Sequence, residues 1–364
     1  SSPDRLGALL AAGVDVVRLN ASHADPEFFA EVIPRVRKLA EELGTTVAIL
    51  LDLRGPKIRI GEMQPGTVLE RRTDVILEPG SFVGDARRIP CSYEGLALDV
   101  SPRDVLLLDD GLIELSVTGL DGNAVLARVR EGGELRSRKG INVPGRALSA
   151  PAFSEKDRAD LEVCVALGID WIALSFVRSA QDVLAVKEEL ANRGVDLPVI
   201  AKIEKPQAVD ALDEIIHASD GIMVARGDLG VEIPPERVPR VQKRIISRCN
   251  ALGRPVITAT QMLESMIHHP RPTRAEASDV ANAIFDGTDA VMLSGETAAG
   301  AFPIESVRMM DRIAREAEAS EFYAQRPGPE LVAFGIDRTA VCTAAVQIAR
   351  EVDVDCLVVY TLSG

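Results

Sequence analysis

The chain has 364 residues, of which 46% are hydrophobic and only 4% aromatic. That is enough for about two or three domains with an aliphatic α/β interior, and it argues against a β-sandwich. No apolar run approaches the roughly 20 residues of a membrane-spanning helix, and no signal-peptide pattern opens the chain, so neither membrane nor secretion is expected. A net charge of −14 speaks against nucleic acid as a partner, and an anionic ligand would need a local cationic pocket or a bound metal ion. The five cysteines (Cys91, Cys164, Cys249, Cys342, Cys356) are scattered without a CxxC pair, which reads as reduced thiols in a cytoplasmic protein and argues against zinc.

In chain order, Ser2 can cap a first helix that Pro3 enters and Gly13 closes. VDVVRLN (Val14–Asn20) reads as a strand. Asp25-Pro26 starts a second helix, bent at Pro34 and ended by Gly44. TVAILLDL (Thr46–Leu53) is the continuous apolar run of a strand buried on both faces. This αβαβ rhythm breaks at Gly55-Pro56 and resumes near Ser154. Between lie short alternating strands. The clearest form a hairpin in which Ile113, Leu115 and Val117 face Val125, Ala127 and Val129 across Leu120-Asp121-Gly122-Asn123. The insert, roughly a hundred residues, reads as a separate small β domain.

Strands then recur at Asp170–Val177, Leu197–Ile203, Gly221–Ala225, Pro255–Thr258 and Asp289–Leu293, with helices between them. One helix opens on the capping box Thr273-Arg274-Ala275-Glu276. Repeated βα units favour a parallel sheet, closed or doubly wound, and polar residues gather just after the strands, where a barrel carries its catalytic rim. An eight-stranded barrel would lack its first strand here, so an N-terminal strand is expected to be missing. Beyond Pro327-Gly328-Pro329, a helix (about Asp337–Glu351) and a strand (Val354–Thr361) begin a further unit, and a lone αβ pair cannot bury a core.

The chemistry concentrates between Val199 and Gly230. Two apolar runs, Val199–Ile203 and Gly221–Ala225, each hand over to charged residues: Lys202 and Glu204, then Arg226 and Asp228. Alternation along a strand turns Lys202 and Glu204 the same way, and parallel neighbours bring Glu204 and Asp228 to one rim. Two carboxylates beside an ammonium and a glycine turn suit a hard divalent cation that also holds a phosphate. The alternative is a pair of solvated carboxylates at strand ends. Arg18, Asn20 and Ser22 share a face if their strand persists. His268-His269, in a Pro-bounded loop with no partner at a ligand spacing, read as non-metal.

RLNASH (Arg18–His23), LDLRGPKIRIG (Leu51–Gly61), AKIEKP (Ala201–Pro206), MVARGDLGVEIP (Met223–Pro234), TATQMLESMIHHPRPTRAEASDVANA (Thr258–Ala283) and DAVMLSGETAAGAFPIESV (Asp289–Val307) resemble pyruvate kinase. So do DDGLIEL (Asp109–Leu115) and KGINVPG (Lys139–Gly145) of the insert. The resemblance implies a TIM (β/α)8 barrel, here without its first strand, with an inserted small β-barrel lid and the start of a C-terminal α/β regulatory domain. Residues 1–55 and 153–326 would form the barrel, 56–152 the lid, and 327–364 would open the regulatory domain. It also implies a glycolytic enzyme, a homo-oligomer (commonly a tetramer), that converts phosphoenolpyruvate and ADP to pyruvate and ATP with Mg²⁺ or Mn²⁺.

Carried over residue by residue, Glu204 and Asp228 match the divalent metal ligands. Lys202 matches a lysine whose charge offsets that developing on the phosphoryl group and enolate oxygen. The loop Ala225–Asp228 matches one that holds the substrate carboxylate on backbone N–H groups, with Gly227 permitting close approach. Thr260 matches a hydroxyl near the substrate methylene carbon, and Ser294 and Glu296 match residues linked to proton delivery through water. Arg18 and Ser175 match phosphate contacts. Arg59, His23, Asn20 and Lys139 match positions that reach nucleotide phosphates, with Asp110 nearby on the lid.

The chain departs from the family pattern at Lys57, where K⁺-dependent members carry a glutamate. Those members bind the ion through positions matching Asn20, Ser22, Asp52 and the carbonyl of Leu53. The substitution resembles the K⁺-independent branch, so Lys57 is expected to stand in for the ion and K⁺ not to be required; a solvated hinge lysine is the alternative. Ala299 stands where some members have a lysine contacting ADP. The terminal Thr361-Leu362-Ser363-Gly364 resembles the start of a loop that binds sugar-phosphate effectors. Two other readings compete: a metal-dependent barrel aldolase or lyase acting on pyruvate or phosphoenolpyruvate, which would not consume ADP, and an inactive truncated scaffold.

Overall fold

The computed structural model describes residues 3–22, 24–56, 58–146, 148–324, 335–352 and 354. Its larger sheet has seven strands: Val16–Asn20, Ala48–Asp52, Trp171–Leu174, Val199–Ile203, Gly221–Ala225, Val256–Ala259 and Ala290–Met292. Every pair is parallel, and the strands lie side by side in chain order. A doubly wound sheet reverses its strand order partway, and this one never does, so the winding is that of a barrel.

The side chains repeat that conclusion. Alternate positions Leu50, Ala173, Ile200, Met223 and Ala259 form one buried cluster, while Leu51, Ile172, Ala201 and Ile222 pack into the larger core with the helices. The first set fills the barrel and the second carries its helical coat. The helix Pro3–Ala11 packs against Pro303–Glu318 from the other end of the chain, and Arg5 donates to Gly300 O at 3.2 Å. The two margins of the sheet therefore come round to each other. Among the described residues no strand pairs across them.

The strands are shorter than the apolar runs implied. The third stops at Leu174 instead of Val177, because Phe176 adopts a left-handed conformation (φ 57°) and turns the chain. The first stops at Asn20, whose side-chain oxygen accepts from Ser22 N at 3.0 Å, so Ser22 leaves the strand and does not continue the face of Arg18 and Asn20. The helix Pro26–Leu43 starts at the expected cap, Asp25, and ends at Gly44 in the left-handed region (φ 64°). It runs unbroken through Pro34. Phe29, Ile33, Val36 and Ala40, all buried along one face, hold it where local propensity would not.

The inserted segment has its own core, with Leu77, Ile89, Leu106, Leu115 and Val125 buried together. Its six-stranded sheet runs in the spatial order Ile141–Asn142, Val105–Leu108, Ile113–Asp121, Ala124–Glu131, Asp74–Pro79, Arg88–Cys91. Bridges from Arg59 to Gly140 and from Ile60 to Cys91 join the two outer strands and close the sheet into a small barrel. The hairpin turn is only Gly122-Asn123, tighter than expected, with Gly122 at φ 58°. A bulge between Val117 and Gly119 then sets Val125 opposite Leu120.

The late helix spans Gly335–Glu351. Pro327-Gly328-Pro329 and residues 355–361 of the expected last strand lie outside the described residues. No helix among the described residues is long and apolar enough to cross a membrane.

Candidate active site

The inward parity that fills the barrel continues to its rim. Leu50 is followed two residues on by Asp52, Ala173 by Ser175, and Ile200 by Lys202 and then Glu204. Each step exchanges an apolar side chain for a polar one on the same face, and all four polar side chains are buried.

Lys202 joins them. Its Nζ donates to Ser175 Oγ at 2.7 Å and pairs with Glu204 Oε1 at 2.8 Å and Asp52 Oδ1 at 3.1 Å. Burial works against its charge, but the carboxylates of Asp52, Glu204 and Asp228 outweigh burial and hold the ammonium above the ordinary lysine range. Asp52 also accepts from Arg18 Nε at 2.5 Å and from Ser175 Oγ at 3.3 Å. Its burial raises the pKa, yet the charges of Lys202 and Arg18 overcome that and keep the carboxyl below its usual range. Two cations and one carboxylate thus stand fixed side by side.

Glu204 is pushed the other way. Burial raises its pKa, Lys202 opposes that, and Asp228 across the rim adds a further push upward. Its Oε2 accepts from Phe176 N at 2.8 Å. Its Oε1 is buried and lies near Lys202 Nζ, yet no donor is aligned on it as a hydrogen bond. A buried carboxylate oxygen in that state, with a second carboxylate facing it, is a donor set that a hard divalent cation satisfies. Among the described residues no cluster of three or more His, Cys, Asp or Glu side chains could hold a metal. Asp228 is half-buried and lines the cleft between lid and barrel.

Gly55 keeps Phe176 in place. It lies at φ 63°, and a Cβ there would come within 2.9 Å of the Phe176 ring. Only glycine fits that combination of backbone and space.

On the other side of the mouth, a bent backbone is pinned by hydrogen bonds and by one ion pair. Gly227 N donates to Thr260 Oγ1 at 2.7 Å, so this N–H, expected to be available to a ligand, is engaged within the protein. Thr260 Oγ1 in turn donates to Ala259 O at 2.6 Å. Thr260 and Gln261 sit at φ 71° and 55°, uncommon for any residue but glycine and most of all for β-branched Thr260. Arg226 packs its guanidinium beneath them, donating to Thr260 O at 2.6 Å and pairing with Asp279 at 2.6 Å. Glu296 is fully buried and accepts from Leu263 N at 3.1 Å and Ser294 N at 2.8 Å, so it braces the loop that carries half-buried Ser294.

On the lid, Lys139 pairs with Asp109 at 2.7 Å. Arg59 donates to Arg138 O at 3.0 Å; burial and the charge of Arg54 lower its pKa, while Asp110 opposes them. Asp109 and Asp110 are both left-handed, at φ 52° and 55°. Leu53 is buried, and its N–H continues the sheet to Ala173 O at 2.9 Å. His23 and Lys57 lie outside the described residues.

The structure therefore gathers Arg18, Asp52, Ser175, Lys202 and Glu204 with Asp228 opposite, and sets Gly227 with Thr260. Glu296 belongs to a buried brace. Sequence reasoning missed Asp52 as the carboxylate shared by Arg18 and Lys202, although its position at a strand end, in step with Ser175 and Lys202, is a signal of that role. It also missed Arg226 and Asp279, which nothing local marks as partners.

The family described as pyruvate kinase, barrel domain, matches residues 1–307. The chain is 47% identical over 371 residues to a pyruvate kinase of Geobacillus stearothermophilus, covering 100% of this chain and 63% of that protein. It is 46% identical over 372 residues to a pyruvate kinase of Agrobacterium vitis, covering 100% of this chain and 77% of that one. A crystal structure of a pyruvate kinase from Cryptosporidium parvum superposes with a TM-score of 0.88 at 37% identity, covering 96% of this chain and 74% of the other.

Proposed function

Because the chain belongs to the pyruvate kinase family, we propose that it transfers the phosphoryl group of phosphoenolpyruvate to ADP and protonates the resulting enolate, giving pyruvate and ATP. The observation that carries this reading is the buried ammonium of Lys202, held by Ser175, Asp52 and Glu204. Phosphoryl transfer asks for positioning and charge neutralisation more than for covalent help, and a cation fixed in a dry site acts with little reorganisation.

Lys202 would face the negative charge that develops on the phosphoryl and enolate oxygens. Arg18, oriented by Asp52, offers its remaining guanidinium donors to the phosphate. Glu204 and Asp228 would hold Mg²⁺ or Mn²⁺, which supplies Lewis-acid neutralisation of the phosphoryl oxygens when bound. The Gly227 turn and Thr260 bound the space for the substrate carboxylate and methylene carbon. Ser294, on the loop that Glu296 braces, would serve the return of a proton through water. Arg59 and Lys139 of the insert, with Asn20 and His23, would reach the nucleotide phosphates.

A coupled assay for pyruvate from phosphoenolpyruvate tests the reading, with ADP present and absent. Turnover that requires ADP is expected. Pyruvate formed without ADP would favour a lyase, and a folded chain without turnover would reject the activity. The chain spans 63% of the length of the Geobacillus relative, so the assay should be run on this chain as it stands.

Both carboxylate oxygens of Asp52 are engaged by fixed groups, Oδ2 by Arg18 and Oδ1 by Lys202 and Ser175. That supports an enzyme that needs no K⁺, and Lys57 would be the residue that stands in for the ion. Activity in a tetramethylammonium buffer should not rise on adding K⁺, and strong stimulation would reject the idea. A cytoplasmic homo-oligomer is the expected assembly, which light scattering can check.

A further inference from the structure

Behind the metal carboxylates lies a second buried ion pair that the mechanism does not use. Lys205 follows Glu204 directly, and its Nζ pairs with Glu232 Oε1 at 2.5 Å, both side chains being less than a tenth exposed (8% and 1%). Glu232 lies one helical turn beyond Asp228, at the end of the helix Arg226–Glu232. One ion pair therefore joins the segment that carries Glu204 to the segment that carries Asp228. The same Nζ sits 5.6 Å from the centre of the Phe176 ring, and Phe176 N holds Glu204 Oε2.

The lid enters through Asn142, which ends its short strand Ile141–Asn142. Its amide donates to the same Glu232 Oε1 at 2.8 Å. Oε1 thus receives a donor from the barrel and one from the lid, while Oε2 is buried with no partner. Buried polar atoms are nearly always satisfied, so an orphaned oxygen on a doubly engaged carboxylate needs a reason. That oxygen leaves Glu232 with unused acceptor capacity beside the contact between lid and barrel.

Resting on the function proposed above, we infer that Asn142, Glu232 and Lys205 form a latch through which lid position sets the spacing of Glu204 and Asp228. Lys205 and Glu232 are positioning residues: they reach the metal site only through the carboxylates beside them. With the lid docked, the latch holds the two segments at a fixed separation. With the lid away, one of the two donors on Oε1 is lost and the separation relaxes.

The test uses the full chain and two variants. Asn142→Ala removes the lid's donor and leaves the ion pair intact. The double variant Lys205→Met/Glu232→Gln removes both charges together, which avoids the unfolding expected when one buried charge is left alone. Mn²⁺ affinity read by electron paramagnetic resonance should fall on the order of tenfold in each, the scale of losing a group that orients a metal ligand. Amide exchange should quicken in residues 226–232 of the Asn142→Ala chain. Parent-like Mn²⁺ affinity in both variants, exchange changes confined to residues 58–146, or a parent chain that binds no Mn²⁺ would each overturn the latch. Neither measurement needs turnover. A parent chain whose Mn²⁺ binding responds to these variants but which makes no pyruvate would reject the proposed activity and leave the latch standing.

Discussion

The two halves of the barrel mouth are built on different physics. On the side of Arg18, Asp52, Ser175, Lys202 and Glu204, the charges are buried, or half-buried at Arg18, and each is balanced by its neighbours. On the side of Gly227, Thr260 and Glu296, the backbone is bent into uncommon conformations and pinned by hydrogen bonds to side-chain oxygens. The first half is an arrangement of charge and fails when the count of charges changes. The second is an arrangement of shape, and an isosteric change that keeps its hydrogen bonds should leave it working.

The largest effect should come from Lys202→Met. Removing the ammonium should lower kcat by at least about 10²–10³. It also leaves Asp52 and Glu204 as buried charges short of a partner, at a cost of about 3–5 kcal/mol in urea unfolding. A variant that loses neither activity nor stability would show that the charged half is not what matters. Next comes Gly55→Ala, which forces a Cβ against Phe176 at a left-handed position and should cost about 1–3 kcal/mol. Because Phe176 N holds Glu204, activity should fall with stability.

In the shaped half, Thr260→Val should cost about 1–3 kcal/mol by leaving Gly227 N without its acceptor. Thr260→Ser keeps the acceptor and should stay within about 0.5 kcal/mol of the parent. Equal losses in the two would mean that the methyl group, not the hydrogen bond, holds the turn.

The smallest effect concerns acid. Burial raises the Glu276 pKa, but hydrogen bonds from Ser265 and Thr273 outweigh it and hold the carboxyl below its ordinary value of 4.5. Folded protein therefore binds fewer protons at this site than unfolded chain does. Its contribution is complete above that value and is lost as pH falls through the lower folded one. Glu276→Gln should cost about 1 kcal/mol at pH 7 and flatten the acid side of a plot of stability against pH. An unchanged acid slope would refute this assignment.

Lys202 and Glu204 were legible in the sequence because strand alternation is local: an apolar run that turns polar at every second residue shows its inward face without neighbours. The parallel winding followed from repeated βα units for the same reason. Asp52 as the partner of both Arg18 and Lys202 was not legible, because that depends on the register of three strands far apart in the chain. Thr260 could not be foreseen as left-handed, since a β-branched residue is among the last expected there. The closure of the insert into a small barrel was expected from the family resemblance and not from any local period. The bridges of Arg59 and Ile60 span only two residues, too few to carry a period.

That closure has a consequence for how the insert behaves in a crowded solution. An open six-stranded sheet would present a ladder of unpaired peptide groups along each margin, a template on which a second copy could add and aggregation begin. With both margins joined through Arg59 and Ile60, the described sheet has no such rail to offer to a neighbouring copy.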